Sequence, residues 1–485
     1  MANPLKQLAG ETAIYGFSSI LARVLNFLFV PIYTRMLTQV QYGVVTEFMA
    51  YIAILQVVLV LGLETGCFRF ANKEGEDPRR VYSGALLTVF GLNLAFLACM
   101  VAFSEPLSAA LGYAGYRSLI IYVAAILFCD SITAILFAKL RQEHKAVKFA
   151  VLKTVKILTE TGANLVLFFW YPRHAFLPGL LSAQPDFTYP IVAIFLSCVL
   201  CLVLFVPDIL RLRLVWDGAV VRRMLLYSLP LMVAALPGVA NDFLDRVLFR
   251  YFDTSSEAWR ASLGVYQAAV KLAVIMNLFI QMFRYAAEPF FFQRARDKGS
   301  RELYAVVMEY FTAFCGLVFL GVIGYIDVIS LFLGRDFRVG VGVVPVMLLS
   351  YMLLGMLFNV SMWYKLSGRT NMAIWITLAG LLVTAVVNVV WMPRFSYWAS
   401  AFGHLASYLV MFVLSAWLGA RYYPIPYKWG RILAVFGFMA VACAGIYLAA
   451  ARLDALWLRL AVNTVLIALY SAAAWLLLRS RPIPR

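Results

Sequence analysis

The chain has 485 residues, of which 64% are hydrophobic and only 13% charged, and its mean hydropathy is +0.86. Soluble globular domains carry about 25% charged residues, so the composition excludes one and indicates an integral membrane protein. The formal net charge of +17 does not indicate nucleic-acid binding, because the cations are scattered between apolar runs and not gathered into one patch.

Apolar runs long enough to cross a ~30 Å hydrocarbon core predict fourteen helices, near 12–34, 44–66, 81–103, 118–138, 150–170, 190–210, 224–247, 262–283, 304–325, 343–364, 371–392, 398–420, 430–450 and 455–478. The runs are continuous, which excludes a β-barrel of alternating strands, and backbone in lipid must then be helical. The expected fold is an all-α polytopic membrane protein with two pseudo-symmetric six-helix lobes and two C-terminal helices. Residues 1–210 form the N-lobe, 211–223 a cytoplasmic linker, 224–420 the C-lobe, and 421–485 the last two helices.

Of the 41 Lys and Arg residues, 28 fall on one side of this topology and 11 on the other, with Arg23 and Lys271 inside spans. The positive-inside rule therefore places both termini in the cytoplasm. The first apolar run is full length and follows Glu11, so it reads as a retained helix and not as a cleaved signal. All seven cysteines lie in or at the ends of spans. Cys198-x-x-Cys201 sits inside an apolar helix, where packing explains it, and no disulfide, metal site or cofactor is expected. All connections are short, which argues against catalysis in an extramembrane module.

Gln41-Tyr42-Gly43 after the first span and Gly264-Val265-Tyr266 after the seventh each open the next helix, a faint echo that suggests a parallel repeat. Pro31 in the first span and Pro230 and Pro237 in the seventh each remove a backbone hydrogen bond, giving either a static kink or a gating bend.

Charge inside the spans is concentrated in the first eight helices. Arg23 lies roughly 15 Å from either end of its span, and Lys271 about 14 Å into the eighth. A cation at such depth needs a counter-charge or a wet cavity. For Arg23 the counter-charge would be Asp130 or Glu160; the cavity reading makes Arg23 and Lys271 an attractor for an anion. Asp130 and Glu160 could also bind Na⁺ or a proton, with Lys153 and Lys156 on the face of Glu160. Asp242, Asp245 and Arg246 invite a metal or acid-base reading, yet Asp242 and Arg246 stand at i,i+4 and suit an ion pair. The loop cations Lys139, Arg141, Lys145 and Lys148, and Arg294, Arg296, Lys298 and Arg301, suit topology or a funnel for an anionic substrate. His404 reads as an internally bonded side chain. No Walker, kinase, H-E-x-x-H or Gly-rich nucleotide motif is present, so direct ATP coupling is unsupported.

Two stretches are more specific. Ser18-Ser19-Ile20-Leu21-Ala22-Arg23-Val24-Leu25-Asn26 continues through Pro31-Ile32-Tyr33 to Tyr42-Gly43, and Tyr227-Ser228-Leu229-Pro230 continues through Asn241-Asp242-Phe243-Leu244-Asp245-Arg246 and Gly264-Val265-Tyr266 to Lys271 and Glu288-Pro289. Together they resemble the polysaccharide transporter family of oligosaccharide flippases, within the multidrug/oligosaccharidyl-lipid/polysaccharide (MOP) superfamily. The resemblance implies a two-lobed bundle that moves an undecaprenyl-diphosphate-linked oligosaccharide from the cytoplasmic to the periplasmic leaflet of a bacterial inner membrane by alternating access. It implies a cationic cavity lined by Arg23, Asn26, Asp242, Arg246 and Lys271, and a lipid-tail groove at the last two helices. Asp130 and Glu160 carry over poorly. Expected partners are the lipid-linked oligosaccharide diphosphate, membrane lipids, and a polymerase and glycosyltransferases, with the protein a monomer. The competing functions are an ion-coupled multidrug antiporter of the same superfamily, whose cavity needs acids more than cations, and a membrane polysaccharide polymerase or ligase, which needs a sizeable outer loop.

Overall fold

The computed structural model describes residue 16 and residues 20–174, 181–182, 184–212, 214–254, 258–294 and 299–479. The opening of the first span around Ser18 and Ser19, the linker cation Arg213, the loop cations Arg296 and Lys298, and the tail from 480 lie outside the described residues.

The chain is all-α in architecture, and twelve helices among the described residues are long and apolar enough to span a membrane. They correspond to the second to fourth and sixth to fourteenth predicted spans. The first is helical over 20–28 and, after a turn at Phe29, over Val30–Met36. The turn precedes Pro31, which cannot donate to the carbonyl of Phe27. The fifth is the helix Ala146–Leu165, continued by a single π turn at Val166–Trp170 and by Tyr171–His174. Lys148, Lys153, Lys156 and Glu160 keep it off the count of apolar spans.

Contacts divide the chain into two compact units, residues 1–29 with 36–247 and residues 30–35 with 248–485. The division runs through the helix Gly218–Phe252. In the first unit the fourth span, Arg117–Gln142, is central and packs on the second, third, fifth and sixth. In the second unit the tenth, with its core at Val344–Val360, packs on the eighth, ninth and twelfth.

The echo in the sequence continues in this packing. One interval along the chain separates Tyr42 from Tyr266, Glu64 from Glu288 and Arg141 from Lys365. Both tyrosines are buried near the starts of their helices. Arg141 pairs with Glu64 at 3.2 Å, and Lys365 with Glu288 at 2.5 Å. At the same interval Leu119, Ala124, Ile132 and Leu136 of the fourth span match Val343, Leu348, Met356 and Val360, and all eight are buried. The central helix of each unit thus hides the same face.

The second span is broken. A capping box at Thr38 and Gln41 starts Gln39–Val60, which ends at Leu61 and Gly62, both left-handed, before Leu63–Ala71 resumes. Gly62 supplies the positive φ, and a Cβ there would stand 2.7 Å from the Ser228 carbonyl. The break allows the helix to lie close against the seventh span and carries Glu64 to Arg141.

The last two helices, Trp429–Arg452 and Leu456–Arg479, pack on the ninth, Ser300–Gly324. Tyr470 donates to the Ala313 carbonyl at 2.9 Å, and Asn463 to that of Gly324 at 2.7 Å. Their other faces expose Leu433, Val441, Leu448, Val465, Leu469 and Trp475, as a lipid-facing pair would.

Within the second unit, Thr34 is fastened to Gly334, whose N–H donates to the Thr34 hydroxyl at 2.9 Å. A Cβ at Gly334 would lie 1.9 Å from the Thr34 carbonyl oxygen, and backbone cannot swing aside. Gly334→Ala is therefore expected to cost about 1–3 kcal/mol, read as a lower melting midpoint of the purified protein. Glu143, just past the fourth span, meets Lys139 at 2.5 Å and Lys145 at 2.8 Å. Burial raises its pKa, but the two lysines outweigh it and hold the carboxyl below its ordinary value. A depressed carboxylate stabilises the fold above its unfolded pKa, and that stability is lost as the pH falls through and below about 4.3. Glu143→Gln should flatten this acid limb in a stability-against-pH measurement.

Candidate functional site

The predicted cavity residues fall in both units. Arg23 and Asn26 lie one turn apart on the helix 20–28 and are both exposed. Among the described residues Arg23 makes neither a hydrogen bond nor an ion pair, so the counter-charge reading does not hold for it in this conformation. Its expected partner Asp130 is taken by Lys156, which sits on the neighbouring fifth helix and reaches it at 2.5 Å. Glu160 is half-buried one turn further along that helix. Asp242 is exposed, whereas Asp245 is fully buried and accepts from the Arg246 N–H at 2.9 Å. The Arg246 guanidinium lies 4.6 Å over the Phe243 ring, and its Nε is buried without an acceptor among the described residues. Lys271 is half-buried and belongs to the second unit, while the other four belong to the first.

The first unit also contains a polar pocket of about 320 Å³ that sequence reading did not assemble. Its walls are the second span with Gln56 and Glu64, the fourth with Asp130, Thr133, Phe137 and Arg141, and the fifth with Phe149, Lys153 and Lys156. Two ion pairs cross it, Arg141–Glu64 and Lys156–Asp130. Lys153 is different. Its Nζ sits 4.3 Å from the Phe137 centroid and 6.0 Å from that of Phe149, and it has no hydrogen bond or ion pair among the described residues. The helical spacing of Lys153, Lys156 and Glu160 was visible, but the acid that Lys156 meets lies on another helix.

Of the loop cations, the four that follow the fourth span are held by acids of the same unit. Lys139 and Lys145 hold Glu143, Arg141 holds Glu64, and Lys148 holds both carboxylate oxygens of Asp208 at 2.6 and 2.7 Å. In the second unit a smaller pocket of about 90 Å³ surrounds Glu288, which meets Lys365 and, at 3.6 Å, Arg284. A broad groove of about 640 Å³ between the eighth and ninth helices is almost wholly apolar, walled by Phe279, Met282, Phe283, Val307, Tyr310 and Phe314.

The family model described as polysaccharide biosynthesis protein matches residues 8–295, more than half of the chain. The chain belongs to that family. No curated protein matches it by sequence. In structure the chain is similar to a lipid II flippase MurJ in an inward closed conformation, with a TM-score of 0.74 at 12% identity over 96% of this chain and 99% of that one. It is similar to a MATE structure in complex with MaD3S, with a TM-score of 0.58 at 15% identity over 87% and 96%. A MOP superfamily transporter from Pyrococcus furiosus matches at 0.53 and 14% identity over 85% and 94%. At these identities the likeness shows the fold.

The Lys156–Asp130 pair gives the site its simplest test. Lys156→Met leaves a carboxylate without its charged donor and should cost about 1.5–3 kcal/mol. Adding Asp130→Asn should recover most of that loss, as measured by the thermal midpoint in detergent.

Proposed function

We propose that the protein is a flippase that moves an undecaprenyl-diphosphate-linked oligosaccharide from the cytoplasmic to the periplasmic leaflet, by alternating exposure of its substrate site. Surface polysaccharide assembly, whether O-antigen, capsule or exopolysaccharide, would consume the product. The membrane is the bacterial inner membrane, both termini are cytoplasmic, and the protein works as a monomer beside glycosyltransferases and a polymerase. The observation that carries the reading is membership of the polysaccharide biosynthesis family by a chain whose membrane-embedded polar groups are cation-rich and whose interior acids are engaged.

A diphosphate is drawn by exposed or incompletely paired cations, and an arginine fork suits its oxygens. Arg23 is exposed without a counter-ion among the described residues, and Arg246 has one buried donor nitrogen still unmatched there. The MATE likeness keeps an ion-coupled antiporter as the second reading. Against it, a cationic drug needs carboxylates available in the interior, and Asp130 and Glu64 are held by Lys156 and Arg141. A polymerase or ligase finds no support in the family or the fold type.

Arg23→Ala and Lys271→Ala, singly and together, test the assignment in a strain lacking the native gene. Export of surface glycan is expected to fall to background while membrane insertion and protein level stay normal. Full export by the double variant contradicts the assignment of these two cations to the substrate.

A further inference from the structure

We propose that the pocket of the first unit is a phosphoryl-anion site with Lys153 as its receiving cation. The proposal deepens the flippase reading and rests on it only for the natural occupant, the diphosphate of a lipid-linked glycan.

The internal repeat supplies the control. The Glu64–Arg141 pair recurs in the second unit as Glu288–Lys365, at the same interval and in the same roles, so that pair belongs to the fold. The remaining charges do not recur. At that interval Asp130 meets Leu354, Lys153 meets Thr377, and Lys156 meets Gly380. The second unit forms its helices and its pocket without them, so the trio is an addition particular to the first unit. The two pockets differ accordingly, about 320 Å³ against about 90 Å³.

Charge then identifies the ligand. Arg141 is balanced by Glu64 and Lys156 by Asp130, which leaves Lys153 as the surplus cation of the pocket. Two aromatic faces hold its Nζ, and a cation–π contact leaves an ammonium free to take an anion. Lys153 and Lys156 stand one helical turn apart, and Arg141 faces the same pocket from the fourth span. Three cations on two helices suit a group with several oxygens, as a phosphate or diphosphate has, better than a single carboxylate. A positive charge with no acid of its own, in a pocket with room for a phosphate, is an incomplete site that an anion completes.

The test is calorimetric binding of inorganic pyrophosphate to the purified full-length protein in lipid nanodiscs. Lys153→Met is expected to weaken binding at least about tenfold, the scale of one charge-assisted hydrogen bond, and Lys153→Arg to keep it near wild type. Asp130→Asn should tighten binding, because Lys156 is then released to the ligand; a purely structural role for these residues does not produce that gain. Pyrophosphate bound by Lys153→Met as tightly as by wild type overturns the site, and so does a wild type that binds none. Undecaprenyl diphosphate placed in the nanodisc distinguishes the sources. Displacement of pyrophosphate by it supports the lipid headgroup as occupant, whereas failure to displace overturns that occupant and assigns the site to a soluble phosphate. A wild type that binds pyrophosphate yet moves no glycolipid overturns the flippase reading and leaves the site standing.

Discussion

An ion in hydrocarbon must be matched, and much of the polar structure of this protein follows from that constraint. The effective penalty for removing an ion from water is several kcal/mol, far above the gain from any single apolar contact. Within the first unit Lys156–Asp130 meets this constraint between two helices, and the more exposed pairs Arg141–Glu64 and Lys148–Asp208 add further links. Each ties the fifth or fourth helix to a neighbour, so the same contacts that neutralise charge also set the packing. Glu47, fully buried, accepts from the hydroxyls of Tyr51 and Tyr113.

Within the pocket, Lys153 stands outside this pairing and gives the site its character. Aromatic rings stabilise it incompletely, and no comparable cation stands at its counterpart Thr377. Duplicated architecture separates what the fold requires from what one half has acquired. The second unit closes a corresponding pocket with Glu288, Lys365 and Arg284 and leaves little space within it. The first unit keeps its pocket open at the cost of an extra half-buried charge, a cost that selection for stability alone would remove.

Much of this was legible in the sequence because membrane helices are written in long apolar runs. Twelve of the predicted spans have their counterparts at nearly the predicted places, and the family follows the resemblance carried by Arg23, Tyr42 and Tyr266. The fifth span shows the limit: three lysines and a glutamate within twenty residues dilute the apolar signal, yet the chain still forms one helix there. Pairing was harder to read. Asp130 seemed a partner for Arg23 because both lie deep in their spans, but depth does not say which helices touch, and Lys156 on the adjacent helix reaches it first. The break at Leu61 and Gly62 was hidden for a similar reason, since both residues fit an apolar helix and only the close approach of Ser228 shows why the backbone turns.

On the function proposed above, the cargo is an anionic glycolipid and not a cationic drug. The most direct test is a leaflet-exchange measurement in proteoliposomes holding the purified protein and a fluorescent undecaprenyl-diphosphate-linked oligosaccharide, with ethidium efflux followed in parallel. Protein-dependent movement of the glycolipid, suppressed by excess pyrophosphate, is expected, with no ethidium transport. Ethidium efflux driven by an ion gradient, with the glycolipid left in its original leaflet, would contradict it.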